Sequence, residues 1–399
     1  MILEILLALL AGVAGGVFTG LLPGIHINLV MTVFVPLLVS SLTIEPFIIT
    51  LGIVALAATH TVLDFIPSIY LGAPEEETAL SVLPAHQLLL EGKGHEATLL
   101  VIGGVMAALA GLLITAPFFF YILPSIEKAL IKIIPLTLIG ISLYMILREG
   151  KPLRALICFI SAGFLGYATL NLPIKEPLFP LLSGLFGASG LMLATKQKTE
   201  IPLQQSEIKV TSTLQKRDWL KTLGEVVFIG PFCTILPALG SGYASLVASE
   251  VTKPTNRRFI AIASAMSTYV MATSLLVVYA TGKSRTGTAA NIVSLIPQLS
   301  FSKIIALVGA FVVVALGACL LAKKISATCS KMINKINYGK LSGIALLFIG
   351  ASVLIISGPR GIVVLITGGA LGIYTILSKV KRMHLMGCLI IPTIVYYLG

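Results

Sequence analysis

Gly16-Val17-Phe18-Thr19-Gly20-Leu21-Leu22-Pro23-Gly24 is an apolar stretch that interrupts its own helix, and Gly230-Pro231-Phe232-Cys233-Thr234-Ile235-Leu236-Pro237-Ala238 repeats it in variant form. Gly, Phe, Leu and Pro coincide in register at one constant offset. Pro removes a backbone donor and Gly loosens the helix, so each break frees main-chain groups that hydrocarbon cannot satisfy. Working outward, Leu71-Gly72-Ala73-Pro74 leading to Thr78-Ala79 is echoed by Thr281-Gly282-Lys283-Ser284 leading to Thr288-Ala289. Two elements recurring in the same order are what a duplicated transporter half looks like, with the binding site expected at the repeat interface near the bilayer midplane.

The solvent implied by composition is lipid. Of 399 residues, 57% are hydrophobic and 11% charged, which leaves too little polar surface for a water-soluble globule. Apolar stretches of roughly 20 residues, the length of a spanning helix, follow one another almost continuously. The expected fold class is an all-α polytopic membrane protein. It has about 10-12 transmembrane or re-entrant helices in two homologous halves with Pro/Gly-broken helices. The division is residues 1–194, a polar linker over 195–221 carrying Gln197, Gln204, Gln205 and Ser206, and residues 222–399. The start, Met1-Ile2-Leu3-Glu4, lacks the positive n-region of a secretory signal, so it is expected to be retained.

A net charge of +12 does not indicate nucleic acid, because the basic residues lie in loops between apolar spans rather than in an aromatic-laced patch. Four clusters stand out: Arg148, Lys151 and Arg154; Lys196 to Lys221; Lys323 to Lys340; and Lys379, Lys381 and Arg382. The positive-inside rule puts all four on the cytoplasmic side, and span parity agrees, with two spans between the first and second clusters and two between the third and fourth. The expected location is the cell membrane, multi-pass. Cys158, Cys233, Cys319, Cys329 and Cys388 are scattered in apolar runs without metal-ligand spacing, so they are expected to be buried small hydrophobes. No cofactor is expected.

If each break starts a half-helix, its free N–H groups favour an anionic ligand. Asn28, Ser241 and Ser245 stand close enough in sequence to add donors. His60 and Asp64 are ionisable residues four apart in an apolar segment, a spacing that places them on one helical face. Such groups usually mark a site in a membrane protein, here a proton- or ion-coupling pair; the plainer reading is a satisfied core histidine beside a capping aspartate. Glu75, Glu76 and Glu77 read as solvated charges at a helix start. Lys283 and Arg285 either face water or meet a carboxylate or phosphate. There is no Walker pattern, and Gly240-Ser241-Gly242 lacks the context of a hydrolase elbow.

The segment Gly15 to Gly24, the run Gly72-Ala73-Pro74-Glu75-Glu76-Glu77-Thr78-Ala79-Leu80 followed by Pro84, and Glu91-Gly92-Lys93-Gly94-His95-Glu96-Ala97 together resemble TctA-like proteins. These are the large membrane subunits of tripartite tricarboxylate transporters. The second half departs from that pattern, with Ala238 in place of a Gly and Thr281-Gly282-Lys283-Ser284 in place of a Gly-Ile-Pro-Gly-type element. The resemblance implies a permease, not an enzyme, that moves di- or tricarboxylates on an H⁺ or Na⁺ gradient. It also implies a periplasmic binding protein and a small membrane subunit as partners, and a homodimer is compatible with it. Carried over by position, the substrate-binding candidates are Gly24, His26, Asn28, Gly72, Pro74, Thr78, Gly240, Ser241, Gly242 and Ser284, with His60 and Asp64 for ion coupling. Two other readings stay open: a carrier for a polyprenyl phosphate, whose headgroup suits the same half-helix ends, and an intramembrane enzyme using His60 and Asp64.

Overall fold

The computed structural model describes residues 2–22, 44–72, 82–196, 201–205, 214–236, 241–333 and 338–398. Every regular element among them is helical. Seven helical stretches are long and apolar enough to cross a membrane, and three shorter apolar helices accompany them. The first half contributes α1 (Ile2–Leu21), α2 (Pro46–Leu63), α3 (Phe65–Tyr70), α4 (Val82–Leu90), α5 (Gly94–Pro117), α6 (Leu123–Leu147), α7 (Pro152–Leu170), α8 (Leu178–Leu182) and α9 (Ser189–Lys196). The second contributes α10 (Lys216–Ile235), α11 (Ser241–Thr252), α12 (Asn256–Thr281), α13 (Gly287–Leu295), α14 (Phe301–Met332), α15 (Tyr338–Leu377) and α16 (Gly387–Leu398). The polar linker is shorter than its composition suggests: Lys216–Lys221 already form the first turns of α10.

Helix α1 shows why an apolar sequence chooses one neighbour in lipid. Leu3, Leu7, Leu10 and Phe18 are exposed on its outer side, whereas Gly12, Gly16 and Gly20, one turn apart, are buried. Without side chains those three glycines let the α1 backbone lie directly on α2, the close approach that small residues permit where no hydrophobic drive exists. A Cβ on Gly16 would fall 2.6 Å from the Leu56 carbonyl oxygen, and one on Gly20 would fall 2.9 Å from Leu63 Cβ. Gly12 faces Gly52 and Ala55, Gly16 faces Leu56 and Thr59, and Gly20 faces Leu63 and Asp64, so α1 and α2 run parallel.

Helix α10 stands on α12 in the same way. Glu225 meets Arg258, a Cβ on Gly230 would meet the Tyr269 ring, and Thr234 shares a hydrogen bond of 2.9 Å with Thr273, so these two also run parallel. Each central helix then packs parallel to one from the other half. In α12, Ser264 Oγ donates to the Val101 carbonyl at 3.0 Å and Tyr269 OH lies 2.7 Å from Thr115 Oγ1, both on α5. On the other side Lys303 of α14 lies over the Phe47 ring at the start of α2. At the far end Tyr70 OH reaches Ser326 and Ser330 of α14 at 2.8 and 2.7 Å.

The two parallel sets run in opposite directions. Asn256, at the start of α12, donates to Gln87 of α4, while His86 of α4 meets the Ile69 carbonyl near the end of α3. The start of α12 therefore lies where α2 and α3 finish. The basic clusters collect at this same end. Lys323, Lys324 and Lys331 lie toward the end of α14, where Tyr70 joins it. Arg148 and Lys381 share Glu250 at 3.3 and 3.6 Å, just before α12 starts, and Lys151 Nζ donates to the Ser378 carbonyl. By the positive-inside rule this end is expected to face the cytoplasm.

Helix α15 is two spans in one. Gly358 adopts φ 70° ahead of Pro359, and a Cβ on Gly361 would lie 3.2 Å from the Val353 side chain. Residues eight apart in a straight helix stand roughly 12 Å apart, so the chain doubles back there as a tight hairpin. This returns Lys379–Arg382 to the end where α15 began, matching the parity of the charge clusters. Since α1 runs parallel to α2, its first turn lies at the end opposite the basic loops. An epitope tag placed before α1 is therefore expected to be removed by protease added outside intact cells, and one inserted within residues 206–213 to be protected. Both tags responding alike would refute this topology.

Candidate functional site

Three interruptions in the apolar spans supply the polar groups of the interior. The first is the junction of α1, α2 and α3. Asp64 joins α2 to α3 with helical backbone angles, and it and His60 are buried at 1% and 3% exposure. His60 Nδ1 lies 3.0 Å from Thr19 Oγ1, so the residue just before the Pro23-Gly24 break is hydrogen-bonded to the ionisable face of α2. Ser68 Oγ donates to the Asp64 carbonyl at 3.1 Å. Gly72 follows α3 at φ +59°, the left-handed conformation that suits glycine after a helix.

The second interruption leads into α11. Ser241 and Gly242 open this helix, and Ser241 Oγ is buried without a hydrogen-bond partner among the described residues. The third lies between α12 and α13. Gly282 ends α12 at φ +69°, Ser284 is exposed in the turn, and Thr286 caps α13 by accepting from the Ala289 N–H at 3.2 Å. The Thr286 hydroxyl also lies 3.1 Å from Ser274 Oγ, which sets the start of α13 about two turns back from the end of α12. Gly24, His26, Asn28, Pro74, Thr78 and Gly240 lie outside the described residues.

Beyond the breaks, several interior hydroxyls have no partner among the described residues. Thr59 on α2, Ser241 on α11, Thr268 on α12 and Thr288 on α13 are each at most 2% exposed, with an unbonded side-chain oxygen. Ser142, Ser342 and Ser357 share this property but belong to the peripheral helices α6 and α15. A buried hydroxyl without a partner costs about 1–3 kcal/mol, and a ligand is one way of recovering it. Among the described residues no group of three His, Cys, Asp or Glu could hold a metal ion, and the cysteines are all free, four of them buried.

Two polar clusters escaped the sequence reading. His95 Nδ1 lies 3.0 Å from Ser326 Oγ, which with Ser330 surrounds the Tyr70 hydroxyl, so α3, α5 and α14 meet in one buried network. The residues forming it are separated by up to 260 positions, and serines on a long apolar helix give no signal. The other is the ion pair of Glu225 and Arg258, 2.5 Å apart and almost fully buried, with Thr252 donating to the same carboxylate oxygen. It clamps α10, the end of α11 and the start of α12 together. Removing one member of a buried pair strands the other charge and costs about 3–5 kcal/mol. Glu225→Ala is therefore expected to lower the thermal unfolding midpoint of the purified protein markedly, with a Glu225→Ala, Arg258→Met double variant less affected than the single. Equal losses in both would show that the pair is not the source of stability.

The linker also docks. Gln204 Oε1 accepts from the Gly94 N–H at 2.9 Å, its amide donates to the Leu89 carbonyl at 2.9 Å, and the Gln205 N–H donates to the Gly92 carbonyl at 2.8 Å. A side chain at Gly92 or Gly94 would intrude on these contacts, since a Cβ would lie 2.8 Å from the Leu203 carbonyl oxygen or 3.0 Å from Gln204 Oε1. The glycines of Glu91-Gly92-Lys93-Gly94 thus make room for the linker that caps α5. Gln204→Ala should speed proteolytic cleavage near residues 201–205 while leaving the helical content unchanged by circular dichroism. An unchanged cleavage rate would count against docking in solution.

The sequence profile of the tripartite tricarboxylate transporter TctA family matches residues 6–387. The chain belongs to that family. A second similarity extends over almost the whole of both chains: an uncharacterized protein of Methanocaldococcus jannaschii is 28% identical over 407 aligned positions, covering 98% of this chain and 99% of the relative. No solved structure matches the chain. Membership identifies a membrane transport protein of the kind that works with partner subunits, and its apolar helices make it multi-pass.

Proposed function

We propose that this TctA-family chain is a secondary transporter for a di- or tricarboxylate, driven by an H⁺ or Na⁺ gradient through alternating access between two inverted halves, residues 1–194 and 222–399. The observation that carries the reading is the opposed pair of parallel helix sets. Helix α1 on α2 and helix α10 on α12 have the same internal arrangement and run in opposite directions, while α2 packs on α14 and α12 on α5 across the halves. Inverted repeats of this kind place a substrate between them and expose it alternately to each side.

The two parallel pairs are chemically unequal. Thr19, which the repeat aligns with Cys233, bonds His60, whereas the neighbouring Thr234 bonds Thr273, so the contact of α1 with α2 includes an ionisable group and that of α10 with α12 only neutral ones at these bonds. That asymmetry supports coupling at His60 and Asp64, where a proton or Na⁺ bound in one half would be linked to the breaks. The substrate would face Gly72, Ser241, Gly242 and the turn containing Ser284; the remaining candidates, Gly24, His26, Asn28, Pro74, Thr78 and Gly240, lie outside the described residues.

Reconstitution into proteoliposomes tests the reading. Uptake of labelled citrate or succinate is expected only with an imposed pH or Na⁺ gradient. His60→Gln and Asp64→Asn should each reduce gradient-driven uptake by at least tenfold while leaving exchange of preloaded substrate comparatively intact. No gradient-dependent uptake of any carboxylate by the unaltered protein, with its family partner subunits supplied, would sink the proposal.

A further inference from the structure

The turn from α12 into α13 holds Arg285, a cation with no carboxylate paired to it among the described residues. Arg285 is half-buried, its Nε is enclosed without a hydrogen-bond partner, and it forms no ion pair with a carboxylate among the described residues. The Nε atoms of Arg258 and Arg382 are likewise unbonded, but their terminal nitrogens have partners: Arg258 has Glu225, and Arg382 donates to the carbonyls of the wide helical turn Ser183–Ala188 and to Ser189. Leaving a guanidinium partly desolvated and unpaired is unfavourable unless an anion visits it.

What adjoins Arg285 also favours an anion. Helix α13 begins two residues later, and Thr286 uses its side chain on the Ala289 N–H. The Gly287 and Thr288 amides have no carbonyl four residues back inside the helix, and the positive end of the helix dipole lies there. Thr288, in that first turn, is 1% exposed and its Oγ1 has no partner among the described residues. The bond between Thr286 and Ser274 seats this helix start beside α12 well before α12 ends.

The far end of α13 leads to a different place. Residues Leu295 to Gln298 border a cavity of about 460 Å³ that also contains Glu45, Phe47 and Lys303. Phe47 and Lys303 stand at the starts of α2 and α14, the end away from the basic loops. Helix α13 thus joins this outer cavity to the cationic turn that carries the half-buried Arg285.

We propose that Arg285, the free amides of Gly287 and Thr288 and the Thr288 hydroxyl bind one carboxylate of the transported anion, a site-level refinement that rests on the transport reading above. The guanidinium supplies a full charge in a planar fork suited to a carboxylate. The helix start adds N–H donors, and Thr288 recovers its missing hydrogen bond. Ser284, exposed in the same turn, is not needed for this contact.

The test is equilibrium binding to the purified full-length protein, measured calorimetrically with citrate, succinate and inorganic phosphate. Arg285→Gln is expected to raise the Kd for citrate and succinate at least tenfold, with Arg285→Lys intermediate. Thr288→Val should raise it severalfold and Thr288→Ser restore it, each variant first shown to be monodisperse with the parent's unfolding midpoint. Binding by the parent that persists unchanged in Arg285→Gln and Thr288→Val overturns the site and leaves the carboxylate transport reading standing. Binding of phosphate in preference to both carboxylates overturns the assigned ligand chemistry. A parent that binds no carboxylate removes the transport reading and this site together.

Discussion

A helix interrupted inside a membrane must find partners for its freed N–H and C=O groups within the protein, because hydrocarbon supplies none. The whole interior follows from that constraint. Helix α12 and the stretch of α2 and α3 are the two most enclosed spans among the described residues, whereas α1, α7, α14 and the arms of α15 keep most of their surface turned outward. Close contact then requires small residues. Gly12, Gly16 and Gly20 on α1, and Gly104 and Gly111 on α5, let backbones approach where larger side chains would hold them apart.

That packing places polar chemistry where it would otherwise be prohibitive. Thr19 can reach His60 because glycine-mediated contact brings α1 onto α2, and Tyr269 can reach Thr115 because Gly230 leaves room for its ring. A serine or threonine hydroxyl takes part in the hydrogen bonds that join α1 to α2, α5 to α12, α10 to α12, α12 to α13, and α14 to α3 and α5. The interior hydroxyls left over, with the unpaired Arg285, gather on helices that contain or adjoin the breaks. A transporter needs such groups to be satisfied by cargo rather than by the fold, since a fully satisfied interior has nothing to offer a ligand.

Much of this was legible in the sequence, for identifiable reasons. Hydropathy reports spans because lipid is the dominant solvent, and the four basic clusters report sidedness because each charge must remain in water. The recurrence of Gly16 to Gly24 at Gly230 to Ala238 pointed to paired breaks, and the family motifs of the first half led to the same permease family that the profile match shows. His60 and Asp64 stood out because charge in an apolar run is costly. By contrast, the Tyr70, His95 and Ser326 network and the Glu225 and Arg258 pair were invisible, since each joins residues distant in sequence whose types are unremarkable singly.

The sequence by itself determined the solvent, the approximate spans, the side on which the loops lie and the positions of the breaks. These are local or compositional properties, and transfer free energies add along a chain. The tertiary structure decided direction and partnership: that α1 runs parallel to α2, that α2 seeks α14 and α12 seeks α5, that Gly358 turns α15 into a hairpin, and that Arg285 rather than Ser284 has its polar atom enclosed. Those outcomes depend on which small-residue faces meet and on which polar groups remain after every other pairing is made. No window of sequence contains that information, because it is a property of the contacts.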